Sequence, residues 1–159
     1  MKEILKILEN DCRTTPEEIS AMTGKPVTEV KEIIARAEKE GIIVKYKTVV
    51  NWAKTGNDEV FAMIEVKVQP QKEVGFEAIA ERIYRFPEVH SVYLVSGTYD
   101  LAVIVVGKTM YDIAAFVTNK LSPMESVQSV ASHFLLKKYK EDGVILENPE
   151  SIHRLPVSP

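Results

Sequence analysis

Val89-His90-Ser91-Val92-Tyr93-Leu94-Val95-Ser96-Gly97-Thr98-Tyr99-Asp100-Leu101-Ala102-Val103-Ile104-Val105-Val106 is the stretch on which the fold turns. Two runs rich in β-branched and aromatic residues, Val89 to Val95 and Leu101 to Val106, flank a Gly97-Thr98 pair, with glycine where a type II′ turn needs positive φ. The reading is two antiparallel strands joined by a tight hairpin. Upstream, Val60, Ala62, Ile64, Val66 and Val68 alternate with Phe61, Met63, Glu65 and Lys67, the period of a strand with one face more buried. Phe76, Ile79, Ala80 and Ile83 then repeat at helical spacing. Downstream, Met110, Ile113, Ala114, Val117 and Leu121 mark a second helix, and Val127 to Leu136 a fourth strand. The order is therefore βαββαβ. Pro87 before Val89-His90-Ser91-Val92 and Pro123 before Val127-Gln128-Ser129-Val130 are the trace of one repeated unit. Two right-handed βαβ units fused in this way give an antiparallel sheet with both helices on one face. The other face is left for a second copy of the chain, and a homodimer is expected.

The segment before this unit has another character. Ile4, Leu5 and Leu8 repeat at helical spacing. Thr15 is an N-cap followed by Pro16 and by Glu17 and Glu18 at the positive end of the helix dipole, with Ile19 and Met22 inward and Gly24 as the stop. Pro26 leads into a third helix with Val27, Val30, Ile34 and Ala37 on its apolar stripe, ending at Gly41. Short helix, glycine turn and longer helix make a helix-turn-helix plan. Ile42-Ile43-Val44 and Tyr46 to Val50 are expected to pair as a small wing. The fold class is thus α+β. Its divisions are a winged helix-turn-helix over 1–50, a linker over 51–58, a ferredoxin-like βαββαβ domain over 59–140, and a tail over 141–159 of little periodicity, with Pro149, Pro156 and Pro159.

Composition narrows the function. The 159 residues are 45% hydrophobic and 27% charged, the balance of a globular protein rather than a disordered one. No apolar run approaches the roughly 20 residues needed to span a bilayer, and Met1-Lys2-Glu3 does not open a signal peptide, so a cytoplasmic chain with no membrane partner is expected. A lone Cys12 and three scattered histidines offer no disulfide and no metal site, and no cofactor is implied. His90 and His133 fall in strands, where a packed, hydrogen-bonded histidine is the ordinary case, and no nucleophile motif or phosphate-binding loop stands elsewhere. The chain reads as a non-enzyme.

A net charge of −3 excludes a generally basic nucleic-acid coat. Residues 1–55, however, carry ten Lys/Arg against nine Asp/Glu, and the rest ten against fourteen. From Lys25 to Lys47, six basic residues (Lys25, Lys31, Arg36, Lys39, Lys45, Lys47) meet four acidic ones. The second helix of a helix-turn-helix enters the major groove of double-stranded DNA, and off the apolar stripe of the third helix stand Thr28, Glu29, Lys31, Glu32, Ala35, Arg36 and Lys39, with Lys25, Lys45 and Lys47 as further candidate DNA contacts. Glu29 and Glu32 oppose the phosphates. Asp100 opens a strand of six apolar residues and must find a donor or solvent. Beside it, turn amides can hold an anion, and a donor nest next to an acceptor carboxylate suits a zwitterion.

Arg13-Thr14 with Glu18-Ile19, Glu38-Lys39-Glu40-Gly41-Ile42-Ile43 with Tyr46, and above all Val95-Ser96-Gly97-Thr98-Tyr99-Asp100 resemble the Lrp/AsnC family of transcriptional regulators, the last being similar to its G-x-Y-D hairpin. The resemblance spans Ile4 to about Lys140. It implies a winged helix-turn-helix joined to a βαββαβ effector domain that dimerises through its sheets and assembles to octamers, with amino acids or related small molecules as effectors. It places effector pockets between dimers at Gly97, Thr98, Tyr99 and Asp100, with Ser132 of the last strand opposite, and it makes Val27 through Lys39 the recognition helix, with Thr28, Lys31 and Arg36 as its DNA contacts. Val130 stands where ligand-binding members commonly have threonine. Two alternatives share the pattern: a sensor or nucleoid-type factor with weak DNA affinity, and an enzyme like the siroheme decarboxylases, whose fold is similar. A tetrapyrrole site calls for clustered Arg and His, whereas Arg82, Arg85 and Arg154 are the only arginines of the second part.

Overall fold

The computed structural model describes residues 1–56, 59–69 and 75–147. Asn57 and Asp58 of the expected linker, and the tail with Pro149, Arg154, Pro156 and Pro159, lie outside the described residues. The chain divides into two compact units, Met1–Val50 and the remainder from Asn51.

The first unit holds α1 (Lys2–Asn10), α2 (Pro16–Thr23) and α3 (Val27–Lys39). Helix α2 starts where its capping chemistry dictates. Thr15 Oγ1 accepts the Glu18 N–H at 3.2 Å, and the Glu18 carboxylate accepts the Thr15 N–H at 2.8 Å, a complete capping box ahead of Pro16. That hydrogen bond from the Thr15 backbone holds the Glu18 carboxyl below its ordinary pKa. The helix ends because Gly24 takes a left-handed φ of 70°. Ile4, Leu8, Ile19, Val30 and Ile33 form the core, with Ile7, Ile34 and Ile43 against it. Two expectations need correction. Met22 is 66% exposed, and the deeper position of α3 is Ile33 rather than Ile34, because the helix is rotated so that Val30, Ile33 and Ala37 face inward.

The expected wing hairpin over 42–50 is also corrected, since these residues form no β-ladder. A single residue, Lys45, separates the two runs, and a hairpin needs at least two in its loop. The segment is held instead by the helices: Tyr46 Oη donates to Glu38 Oε1 at 2.8 Å and Cys12 Sγ to the Lys47 carbonyl at 3.7 Å. Burial, with the Glu38 carboxylate beside it, raises the Tyr46 pKa.

The second unit opens with a 3-10 turn, Trp52–Lys54, and then runs β1 (Val60–Val68), α4 (Phe76–Tyr84), β2 (Val89–Leu94), β3 (Leu101–Gly107), α5 (Met110–Phe116), which continues as a π-helical turn over Val117–Leu121, and β4 (Val127–Leu135). The sheet is antiparallel in the order β2-β3-β1-β4, the βαββαβ arrangement expected. Ala62, Ile64, Val66 and Val68 of β1 and Leu101, Val103 and Val105 of β3 pack under Ile79 and Ile83 of α4 and Ile113, Phe116 and Leu121 of α5. Met110 and Ala114, expected on the inner stripe of α5, are exposed, and Phe116 takes the inner position.

After β4 comes a hairpin that the tail reading omitted: β5 (Lys140–Glu141) and β6 (Val144–Ile145) around Asp142 and Gly143, with φ of 45° and 82°. Strands of two residues carry no periodicity, and the legible signal was the Asp-Gly pair, which favours a type I′ turn. Asn51 Nδ2 donates to the Leu146 carbonyl at 2.7 Å, joining the start of this unit to the stretch just after β6.

Ile64 is fully buried at the centre of the sheet. Ile64→Ala is expected to destabilise the second unit by about 2–5 kcal/mol, read as a lower denaturant midpoint with a retained slope.

Candidate functional site

The DNA-facing candidates sit on or beside α3. Thr28, Lys31 and Arg36 are exposed on the side away from Val30, Ile33 and Ala37. Lys45 and Lys47 follow in the exposed segment after the helix, and Lys25 precedes it, half-buried. Lys25 and Lys31 carry ion pairs. Lys25 Nζ binds Glu29 Oε1 one turn on, which turns Glu29 onto a lysine. Lys31 Nζ lies 3.0 Å from Glu17 Oε1, so α2 and α3 are bridged across the turn. That hydrogen bond from Lys31 lowers the Glu17 pKa. Both partners are more than half exposed, so the bridge is weak and available to a competing phosphate. Arg36 Nη2 touches only Met1 Sδ, at 4.0 Å.

The second candidate is the β2–β3 connection. It is not the two-residue II′ turn expected from Gly97-Thr98. The link spans 95–100 and closes through Val95 N–H donating to the Asp100 carbonyl at 2.9 Å. Gly97 has φ of 157°, far from the value near +60° that a II′ turn requires. The amides of Ser96 to Tyr99 donate to no backbone carbonyl among the described residues, and Ser96, Gly97 and Thr98 are exposed while Tyr99 is half-buried. This is a loop with amides to spare for an anion.

Asp100 has found its donors. Its Oδ2 accepts the Val68 N–H at 2.8 Å and its Oδ1 lies 3.3 Å from Lys67 Nζ, while its own N–H donates to the Val66 carbonyl at 3.0 Å. The carboxylate thus clasps the end of β1, where its pairing with β4 shifts register between Lys67 and Val68. The Val68 hydrogen bond, followed by Lys67, holds its pKa below the ordinary carboxylate value. Ser132 is exposed and pairs with Ile64 across the β1–β4 ladder. Since β1 separates β4 from β3, about 10 Å of sheet stands between Ser132 and the loop, and one chain does not bring them together. The reading of the residues gave no sign of Lys67 and Val68 as partners of Asp100, because the contact forms across the sheet.

The outer face of the sheet reads in rows: Leu135, Phe61 and Val106; His133, Met63, Ile104 and Ser91; Ala131, Glu65, Ala102 and Tyr93. Lys138 Nζ sits 3.7 Å from the Phe61 ring centroid, and His133 Nε2 lies 3.4 Å from Glu65 Oε1. The described residues include no group of His, Cys, Asp and Glu able to hold a metal, and no helix long and apolar enough to cross a membrane.

A helical DNA-reading unit followed by a four-stranded ligand-binding unit defines a two-part transcriptional regulator. Residues 1–44 match the model for a winged helix-turn-helix DNA-binding domain, and residues 61–145 match that for the Lrp/AsnC ligand binding domain. The chain belongs to the Lrp/AsnC family of transcriptional regulators. It is 51% identical to the uncharacterized HTH-type transcriptional regulator YugG of Bacillus subtilis over 99% of this chain and 95% of that one. It is 32% identical to the HTH-type transcriptional regulator LrpA of Pyrococcus abyssi, over 87% and 96%. Among solved structures it is similar to a transcriptional regulator of Neisseria meningitidis in complex with L-methionine, at a TM-score of 0.70 and 25% identity over 87% and 89% of the two chains. These relatives are named as regulators, not as enzymes, which sets the siroheme decarboxylase alternative aside.

A depressed pKa in the folded state contributes stability above the unfolded value, near pH 4, and that stability is lost as pH falls through the folded one. Asp100→Asn is therefore expected to lower the melting temperature at pH 7 and to narrow its gap from the parent as the pH is taken from 5 to 2.5, followed by circular dichroism. An equal gap throughout overturns the clasp.

Proposed function

We propose that this regulator reads a specific DNA sequence with the outer face of α3, and that an amino acid or related small molecule at the 97–100 loop changes its assembly and so the spacing of its DNA-reading helices. The DNA contacts assigned are Lys25, Thr28, Lys31, Arg36, Lys45 and Lys47. The effector contacts are Gly97, Thr98, Tyr99 and Asp100, with Ser132 supplied from another copy. The single observation that carries the reading is the loop itself: free amides for a carboxylate, next to an Asp100 held ionised, on a chain of this family. L-methionine in the complex with the Neisseria relative supports an amino acid as the class. Effector control of this kind needs a ligand that favours one assembly over another.

The copies join in this reading through the outer sheet face. Phe61, Met63, Ile104 and Val106 are only half-buried there in the isolated chain, and Tyr93 is 56% exposed. A self-complementary pairing of two such faces closes a dimer, and dimers stack further to an octamer. A second reading, weak and non-specific DNA affinity, has an observation of its own: Lys25 and Lys31 are already bound to Glu29 and Glu17.

Binding to the DNA upstream of the chain's own gene, with excess competitor at two salt concentrations and with and without pooled amino acids, separates the two. Specific binding moved by one pool supports the regulator reading, and loss of preference at both salts supports the weak binder. Lys31→Ala is expected to weaken binding and lower the slope of log K against log salt by about 0.9, with assembly unchanged. Asp100→Ala is expected to blunt the effector response and leave DNA binding without effector in place. Met63→Glu, at the middle of the outer face, is expected to shift sedimentation towards monomer with the circular dichroism spectrum retained.

A further inference from the structure

The three acids of α3 are not equivalent. Glu29 is bound to Lys25, and Glu38 accepts from Tyr46 Oη at 2.8 Å. Glu32 is exposed and makes no hydrogen bond or ion pair with the described residues. Arg36, one turn on and placed for an i,i+4 pair with it, touches Met1 Sδ instead. One carboxylate is thus left open on a helix whose other two are engaged.

Its place on the helix gives that carboxylate a use. At about 3.6 residues per turn, Thr28, Glu32, Ala35 and Lys39 fall on one stripe. All four are exposed, and the stripe lies opposite the buried Val30, Ile33 and Ala37. Lys31 and Arg36 flank it on either side, Lys31 reaching towards Glu17 of α2 and Arg36 towards Met1. The centre of the outward face is therefore an acid with a cation to each side. In a helix-turn-helix unit the outward face of the second helix, its first turns foremost, enters the major groove, and Thr28 and Glu32 stand in the first two turns of α3. The flanking cations then fall towards the phosphates and Glu32 towards the base edges. The small side chains one turn before and after it, Thr28 and Ala35, let the helix approach closely enough for a glutamate to reach them.

What a carboxylate can do there is narrow, because it accepts hydrogen bonds and donates none. Guanine presents two acceptors in the major groove and thymine one, and adenine sets its N6 donor beside an N7 acceptor that repels a second carboxylate oxygen. Cytosine presents its N4 amino donor and no acceptor. We infer that Glu32 is a specificity-determining residue that reads cytosine, one carboxylate oxygen accepting from the N4 amino group in the major groove. The inference rests on the reading of α3 as the DNA-reading helix and names a base that it selects. The charge that opposes phosphates at a distance becomes an acceptor for one base at contact.

The test passes the full chain, and Glu32→Gln and Glu32→Ala beside it, through selection from a library of random-sequence duplexes. Glu32 is exposed and unpartnered among the described residues, so both variants are expected to melt with the parent. The parent's motif is expected to hold a cytosine whose replacement by any other base weakens binding by the parent about tenfold. Glu32→Gln moves that position to adenine, since an amide pairs with N6 and N7 together, and Glu32→Ala leaves it without preference. The other positions keep theirs. Variants that select the parent's motif unchanged overturn the inference while the regulator reading stands, and tighter binding to every sequence then marks Glu32 as a residue that only repels phosphates. A position that loses its preference in the variants but held another base in the parent overturns the assignment to cytosine. A parent that selects no motif overturns the specific-DNA reading of α3, and this inference with it.

Discussion

Strand β1 lies between β3 and β4, and its strict alternation decides what each side of the second unit is for. Ala62, Ile64, Val66 and Val68 point under α4 and α5, where their burial contributes the apolar contacts that hold helices to sheet. A shift of pairing by one residue would send Glu65 and Lys67 inward, so register is fixed by the cost of burying charge. The same alternation commits Phe61, Met63, Glu65 and Lys67 to the other side, away from α4 and α5. Core formation and the need for a partner surface are therefore one constraint seen from two faces.

Asp100 serves that constraint at the end of the strand. Its carboxylate takes up the Val68 N–H where the β1–β4 ladder shifts, a backbone donor that would otherwise be left over. The amides of the loop it anchors donate to no backbone carbonyl among the described residues. An acidic residue at the start of an apolar strand is thus explained by the fold before any ligand is considered, and its ligand role rests on what the clasp leaves available. On α3 the situation is reversed. Glu29 and Glu17 are partners of Lys25 and Lys31, so the mixed charge of the helix is arranged within the unit.

Much of this was legible in the sequence, for identifiable reasons. Thr15, Pro16, Glu18 and Gly24 act through local backbone geometry, so helix α2 could be placed from neighbouring residues alone. The alternation of β1 gave its inner face correctly. What failed depended on turn geometry or on distance. Gly97 suggested a tight turn of two residues, but four lie between Val95 and Asp100, where the link closes, and Asp100 is bonded to the end of β1. Ile42 to Val50 has the composition of a hairpin without the loop residues to make one. Asp142-Gly143 was a clear turn signal passed over because the strands around it are two residues long. The ion pair of Glu88 with Lys120 was invisible, since the two meet only after α5 has packed.

The hydrogen bond from Asn51 to the Leu146 carbonyl has a bearing on how such a unit is inherited. The first residue of the unit and the last described stretch meet at one corner, on either side of the sheet and its two helices in the chain. Modules whose ends lie together can be joined to a new neighbour without remodelling their interior. The Asn51–Leu146 bond therefore ties the point where the second unit is entered to the residue that follows its own strand β6, not to the helices before it.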